Sequence, residues 1–374
     1  MTRAPSVLVF YPFFPTYRQS ILESLETVSD ANFHFVAGVR GRAGITSLTE
    51  SNFPALAALP TRRLGSISVN PGVVRLALRS EYDSVIVAPA TLSLSVWAVL
   101  LLRAMTGKRT YLWGQCGKPA ATGLKRFAQE VMNRLATGLL VYGESEQIGA
   151  TAWGTRAAKV HIVNNAVEHT SALGELGEFE FYRLLGERGI GKALPEAEIR
   201  MTYIGRVSHE KRIDSFLEAL VLLREEFPRL KATIVGEGAA RVDIQERVSR
   251  EGLPVEVLGA IHDAKRLEEI FARTTVVVAP SEIGLLAVQS LQHAVPVLYG
   301  DNPLRNGSEV EALTLNINAG KFRPADPDAI AESVASWLRR APDMNVREYR
   351  EATLSALTRW SPQSVAGRIV AVVR

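Results

Sequence analysis

The stretch YIGRVSHEKRIDSFLEAL (Tyr203–Leu220) decides the fold to expect. The residues Met201–Ile204 are short and apolar, as in a strand buried on both faces, and Gly205 ends them. From Arg212 to Glu225 apolar residues recur at helical spacing until Pro228 stops them. A strand, a glycine-bearing loop and a helix are the repeating unit of parallel α/β sheets. The same alternation continues downstream. Strands are expected at Lys231–Val235, Val255–Leu258, Val276–Ala279 and Val297–Tyr299, with helices at Arg241–Arg250, Ala264–Ala272 and Leu285–His293 between them. Three helices close the chain, at Pro327–Arg340, Val346–Leu357 and Pro362–Val373.

Upstream, a separate series of strands is expected at Ser6–Phe10, Phe33–Val39, Val85–Val87, Thr110–Trp113, Gly138–Tyr142 and Val160–Val163. Helices fit Arg18–Thr27, Leu92–Met105 and Lys125–Leu135. Two such series imply two Rossmann-like α/β domains facing each other across a cleft. The expected division is an N-terminal domain at 1–165, a linker at 166–198 with a helix near Phe179–Arg188, and a C-terminal domain at 199–355. A last helix at 356–374 is expected to cross back onto the first domain.

The 374 residues, 47% hydrophobic and 22% charged, suit two globular cores and exclude a disordered, collagen-like or coiled-coil chain. One cysteine, Cys116, excludes an internal disulfide framework and a cysteine-only metal site. The net charge of +4 is unevenly spread. Residues 1–165 hold 17 basic and 9 acidic residues, whereas residues 166–374 hold 26 basic and 30 acidic. The first half is therefore expected to meet something anionic, such as a membrane surface or a phosphorylated acceptor. No basic helix with interleaved aromatics and no zinc spacing points to nucleic acid. The N-terminus does not read as a signal peptide, because Pro12 and Pro15 interrupt its short apolar run. The uncharged segment Ser84–Leu102 is long enough to suggest a membrane span, but Pro89, Thr91, Ser93 and Ser95 favour a buried strand followed by a helix.

Ligands of open parallel sheets bind beyond the carboxyl ends of strands, so the loops after strands are where chemistry is sought. Arg206 and Lys211 follow one strand and can converge on one anion near a helix N-terminus. Gly236, Glu237 and Gly238 follow the next, where glycines suit a turn pressed against a ligand. In VVVAPSEIGLLAVQSLQHAVPVLYGD (Val276–Asp301), Glu282 can accept bonds from sugar hydroxyls, and the amides of Gly284 and Leu285 can bind phosphate. Gln289 lies a turn further on. Asp326 before Pro327 reads as a helix cap, not half of a metal-binding D-x-D. Glu309 and Glu311 read as solvated, and His209 as an exposed loop histidine.

These three segments in this order resemble the second domain of the GT-B glycosyltransferases, specifically the large retaining family four. That family carries G-R-x(4)-K, a V-G-x-G turn, and P-S-x(2)-E-G-x-G-L leading to a second Glu and A-x-G-x-P-V. The resemblance runs from about Met201 to Val334 and takes in NAGKFRPADPDAIAESV (Asn318–Val334). In the N-terminal half, PTYR (Pro15–Arg18), LWGQCG (Leu112–Gly117), YGE (Tyr142–Glu144) and VNNAVE (Val163–Glu168) are similar to runs of one branch.

The resemblance implies transfer of a sugar from a nucleoside-diphosphate sugar to an acceptor hydroxyl, with retention of configuration. It places catalysis on Arg206, Lys211 and Glu282, and donor binding on Gly205, Gly236, Glu237, Gly238, Gly284, Leu285 and Gln289. Tyr17, Arg18, Trp113 and Gln115 would bind a glycan, lipid-linked or small-molecule acceptor. No metal or other cofactor is expected, because two cations can neutralise the departing diphosphate. Bacterial polysaccharide, glycolipid or natural-product glycosylation is the expected setting, in the cytoplasm or peripherally on the inner face of its membrane.

Two departures stand out. The family's E-x(7)-E pair is altered: Glu282 is one residue nearer than expected, and Gln289 replaces the second glutamate and so lacks the charge that strengthens bonds to ribose hydroxyls. Gln115 replaces the histidine of W-G-H-G and cannot shuttle a proton at neutral pH. Two alternatives follow: a non-catalytic protein binding sugar nucleotide or glycan, and a nucleotide-sugar 2-epimerase. A dinucleotide dehydrogenase does not fit, since no G-x-G-x-x-G follows the first strand.

Overall fold

The computed structural model describes residues 3–38, 47–118, 120–167, 173, 175–195 and 198–374. The chain divides into two compact units, Met1–Glu168 with Trp360–Arg374, and His169–Arg359.

In the first unit the strands are β1 (Ser6–Tyr11), β2 (Asn32–Gly38), β3 (Leu56–Leu59), the short hairpin β4 (Arg62–Leu64) and β5 (Ile67–Val69), then β6 (Ser84–Val87), β7 (Arg109–Trp113), β8 (Gly138–Val141) and β9 (Val160–Ile162). Seven of them form one sheet in the order β3-β2-β1-β6-β7-β8-β9, all pairs parallel. Every residue of β1, β6 and β8 is buried, which a parallel sheet covered on both faces requires. The uncharged segment resolves into β6 and the helix Leu94–Met105, whose Ser93 cap accepts from the Val96 amide. Among the described residues no helix is long and apolar enough to cross a membrane.

The helix Pro362–Val373 belongs to this unit. Its Val365, Ile369 and Val373 are fully buried in one cluster with Val7, Val9, Ile21 and Leu25. Arg368 Nε also donates to the Val163 carbonyl at 3.1 Å, and the Tyr111 hydroxyl donates to that of Val372 at 3.2 Å.

The second unit holds β10 (Arg200–Ile204), β11 (Lys231–Val235), β12 (Val255–Leu258), β13 (Val276–Ala279), β14 (Val297–Gly300) and β15 (Ala319–Phe322). They form a parallel sheet in the order β12-β11-β10-β13-β14-β15. The order reverses between β10 and β13, which opens a crevice at their carboxyl ends. The segment read from sequence as a linker carries the helix Glu178–Gly186, with Phe181 and Leu185 fully buried, and from His169 onward it lies within the second unit. Glu168 and parts of the 166–198 stretch fall outside the described residues, as does Val39 at the end of the strand expected there.

The hairpin β4–β5, the edge strands β3 and β15, and the helices Val73–Ala77 and Glu144–Ala152 were not foreseen. Leu56–Leu59 reads L-A-A-L, without β-branched residues, and pairs only with β2, so non-local pairing made it a strand.

Candidate active site

The loop after β10 is shaped by its neighbours before any ligand enters. The Gly205 amide donates to the Val235 carbonyl at 2.9 Å, and that of Val207 to Glu237 at 2.9 Å. Ala240 returns a bond to the Val207 carbonyl at 3.0 Å. This lacing explains the two glycines of the next loop. Gly236 and Gly238 have φ of 143° and 158°, and a Cβ on either would collide with the carbonyl oxygen of Gly205 or Val207. They press one loop against the other, whereas the sequence suggested a turn pressed against a ligand.

Arg206 follows Gly205 and is exposed. Lys211 ends a short 3₁₀ turn, His209–Lys211. Arg212 then takes a left-handed conformation at φ 55°, and the helix Ile213–Leu223 begins. Lys211 therefore stands in the turn just before the helix. His209 is exposed.

From the other side of the crevice, the turn after β13 delivers Glu282. Lys211 Nζ lies 3.1 Å from Glu282 Oε1 and 3.4 Å from the Glu282 carbonyl oxygen. The Ser281 hydroxyl donates to Oε2 of the same carboxylate, and Arg305 Nη2 approaches Oε1 at 3.8 Å. Burial alone would raise the Glu282 carboxyl, but the Ser281 bond and the Lys211 ammonium outweigh it and hold it below the ordinary glutamate value. The turn is anchored by Asn306, whose Oδ1 accepts from the Ile283 amide at 3.0 Å and whose Nδ2 donates to the Gly300 carbonyl at 3.1 Å. Asn306 escaped the sequence reading because its role depends on Ile283, 23 residues away in the chain.

Tyr203, Gly205, Arg206, Lys211, Glu282 and Gly284 line one cavity of about 180 Å³ in the crevice. The Tyr203 hydroxyl donates to the Arg206 carbonyl at 2.8 Å and so sets the direction of that loop. Gly236, Glu237, Gly238, Leu285 and Gln289 are not part of this lining. Glu237 is exposed and paired with Arg241 at 3.4 Å. Leu285 precedes the helix Leu286–Gln292, on which Gln289 is half-buried. Glu309, read as solvated, is only 5% exposed and sits against Gly284 and Gly307. Asp326 caps the helix Pro327–Arg340 by accepting from the Ala329 amide at 3.2 Å.

In the first unit, Tyr17 and Gln115 are exposed at the carboxyl end of the sheet. Arg18 and Trp113, read with them, are buried. Trp113 is fully buried and Arg18 is 3% exposed, with its guanidinium 4.3 Å from the centre of the indole. Neither side chain lies open on the surface. Apolar packing below the loop takes in the indole, and the ring faces take in the cation.

Residues 198–340 match the family model described as "Glycosyl transferases group 1". A stretch of 148 residues is 30% identical to the GDP-mannose-dependent alpha-(1-6)-phosphatidylinositol dimannoside mannosyltransferase of Mycobacterium tuberculosis. That stretch is 38% of this chain and 36% of the relative, so the match spans about a third of the relative's length. Among solved structures, Anabaena Alr3699/HepE in complex with UDP is similar over 98% of this chain and 99% of its own, with a TM-score of 0.71 and 15% identity. The same protein with UDP-glucose gives 0.68 at 16% identity, over 98% of each chain. The lipopolysaccharide outer core galactosyltransferase WaaB, in its apo form, gives 0.71 at 12% identity, over 97% of this chain and 98% of its own. At such identities the likeness is one of fold.

Proposed function

We propose, for a chain of GT-B fold whose residues 198–340 match the group 1 glycosyl transferase model, that it moves a sugar from a nucleoside-diphosphate sugar to an acceptor hydroxyl with retention. One observation carries the reading: Arg206, Lys211 and Glu282 converge on a single cavity at the point where the strand order reverses. The bond from the anomeric carbon to the diphosphate oxygen breaks, and a bond to the acceptor oxygen forms on the same face. The acceptor proton passes to the departing phosphate oxygen, so no side chain is needed as base. Arg206 and Lys211 stabilise the charge that grows on the leaving diphosphate. Glu282, kept ionised, holds sugar hydroxyls. Gly205 and Gly284 let the backbone approach the donor closely.

The UDP and UDP-glucose of the HepE structures, and the GDP-mannose in the curated relative's name, support a nucleotide-sugar donor. That relative's name also supports a lipid-linked acceptor. The basic surplus of residues 1–165, with Leu124 82% and Phe127 59% exposed beside Lys125 on the helix Gly123–Leu135, supports work at an anionic membrane on its cytoplasmic face. Gln289, in place of a second carboxylate, favours a second reading, in which the protein binds the sugar nucleotide without turning it over.

A thermal-shift screen with UDP-, GDP-, ADP- and dTDP-sugars tests the first step, because a ligand selective for the folded state raises the melting temperature. The proposal expects one of them to do so and to be slowly hydrolysed to the nucleoside diphosphate. Binding without release supports the second reading. Indifference to all four removes both.

A further inference from the structure

The first unit buries a positive charge that no carboxylate among the described residues pairs with. The Arg18 guanidinium is 4.3 Å from the ring centre of Trp113, 5.0 Å from that of Tyr11 and 5.3 Å from that of Tyr142. Its Nη1 is buried with no hydrogen-bond partner, and no carboxylate among the described residues pairs with it. In the same cage Trp113 Nε1 is also buried and unpartnered. Ring faces offset part of the cost of burying a cation but accept none of its N–H bonds well. Two buried donors without acceptors among the described residues, one of them charged, are groups that an oxyanion would satisfy.

The surroundings hold this cage in place. The Tyr11 hydroxyl donates to the Trp113 carbonyl, which ties the end of β1 to the end of β7. Asn164, left-handed at φ 61°, donates from Nδ2 to the Tyr142 carbonyl at 2.9 Å and fixes the residue after β8. All three rings thus sit at carboxyl ends of the sheet, near the reversal of strand order between β1 and β6. Tyr17 and Gln115 are exposed at the same end. The positive surplus of residues 1–165 favours a doubly charged group over a carboxylate.

We propose that Arg18, with the indole N–H of Trp113, forms a phosphate-binding subsite of the first unit, which takes a phosphate group carried by the acceptor. The word acceptor rests on the transferase reading, whereas the subsite does not. The test titrates the full chain with inorganic phosphate, glycerol 3-phosphate and glycerol, at ionic strength balanced with chloride, and reads the melting temperature. Wild type, Arg18→Met, Trp113→Phe and Arg206→Ala are compared.

Saturable stabilisation by a phosphate compound, lost in Arg18→Met, weakened about tenfold in Trp113→Phe and kept in Arg206→Ala, is expected. Stabilisation at lower concentration by glycerol 3-phosphate than by inorganic phosphate assigns an esterified phosphate. The reverse order assigns free phosphate and overturns the acceptor part. A response lost in Arg206→Ala but kept in Arg18→Met, or no response in wild type, overturns the subsite. Should Arg18→Met fail to fold, Trp113→Phe decides, since it removes the indole N–H while keeping an aromatic face; an unchanged response there overturns the proposal. The nucleotide-sugar screen reads the second unit separately, so either conclusion can fail alone.

Discussion

The Lys211 ammonium stands 3.1 Å from Oε1 of Glu282 and bridges the loop after β10 to the turn after β13. The pair is partly buried, with side chains 18% and 15% exposed. It has a consequence for stability against pH. Because the Glu282 carboxyl is held below its ordinary value, its contribution is present above that value and is lost as pH falls through the depressed one. Replacing Lys211 with Met removes the offset to burial, so the carboxyl rises. A double-mutant cycle of Lys211→Met and Glu282→Gln in urea should give a coupling of roughly 1 kcal/mol at neutral pH, after solvent screening. The coupling should vanish in acid.

A second acid-sensitive group lies deeper. Burial, and then the Arg188 charge, lower His293 to about 4, and its ring stacks on Phe271 with centroids 4.2 Å apart. The imidazole is therefore neutral in the folded protein. Stability is lost as pH falls from the ordinary 6.5 towards 4, because the unfolded chain takes up the proton first. His293→Gln should show a smaller drop in denaturation midpoint than wild type between about pH 7 and about pH 5.

Gly236→Ala tests the packing of the two loops. Its methyl would meet the Gly205 carbonyl at a φ that disfavours any side chain. The expected loss is about 2–4 kcal/mol, or a displaced Arg206 loop, read by denaturant unfolding together with nucleotide binding. A neutral outcome on both would show that the loops are not braced as described.

Gln289→Glu restores the carboxylate that the resemblance leads one to expect. If Gln289 holds the ribose, the charged acceptor should tighten nucleotide binding about tenfold. Calorimetric titration with UDP and GDP checks this, and unchanged affinity would separate Gln289 from the donor.

The sequence was most informative where structure is local. The β10 loop, the turn bearing Glu282, the Asp326 cap and the alternation of strands and helices all follow from patterns a few residues long. Features that depend on distant neighbours were not legible. Glu309 has the look of a surface residue, but Gly284 and Gly307 close over it. Arg18 and Trp113 read as acceptor contacts from their motifs, but no local pattern shows that the ends of three strands enclose them. The glycines after β11 read as a turn pressed against a ligand. What approaches is the neighbouring loop, which no local pattern encodes.

The most direct test of the central claim is release of nucleoside diphosphate from the best-binding nucleotide sugar by wild type, Arg206→Ala and Lys211→Ala. If the two cations stabilise the departing diphosphate, each variant should lose about 10²–10³-fold in turnover while keeping its cooperative melting transition. Full turnover in both variants would contradict the assignment.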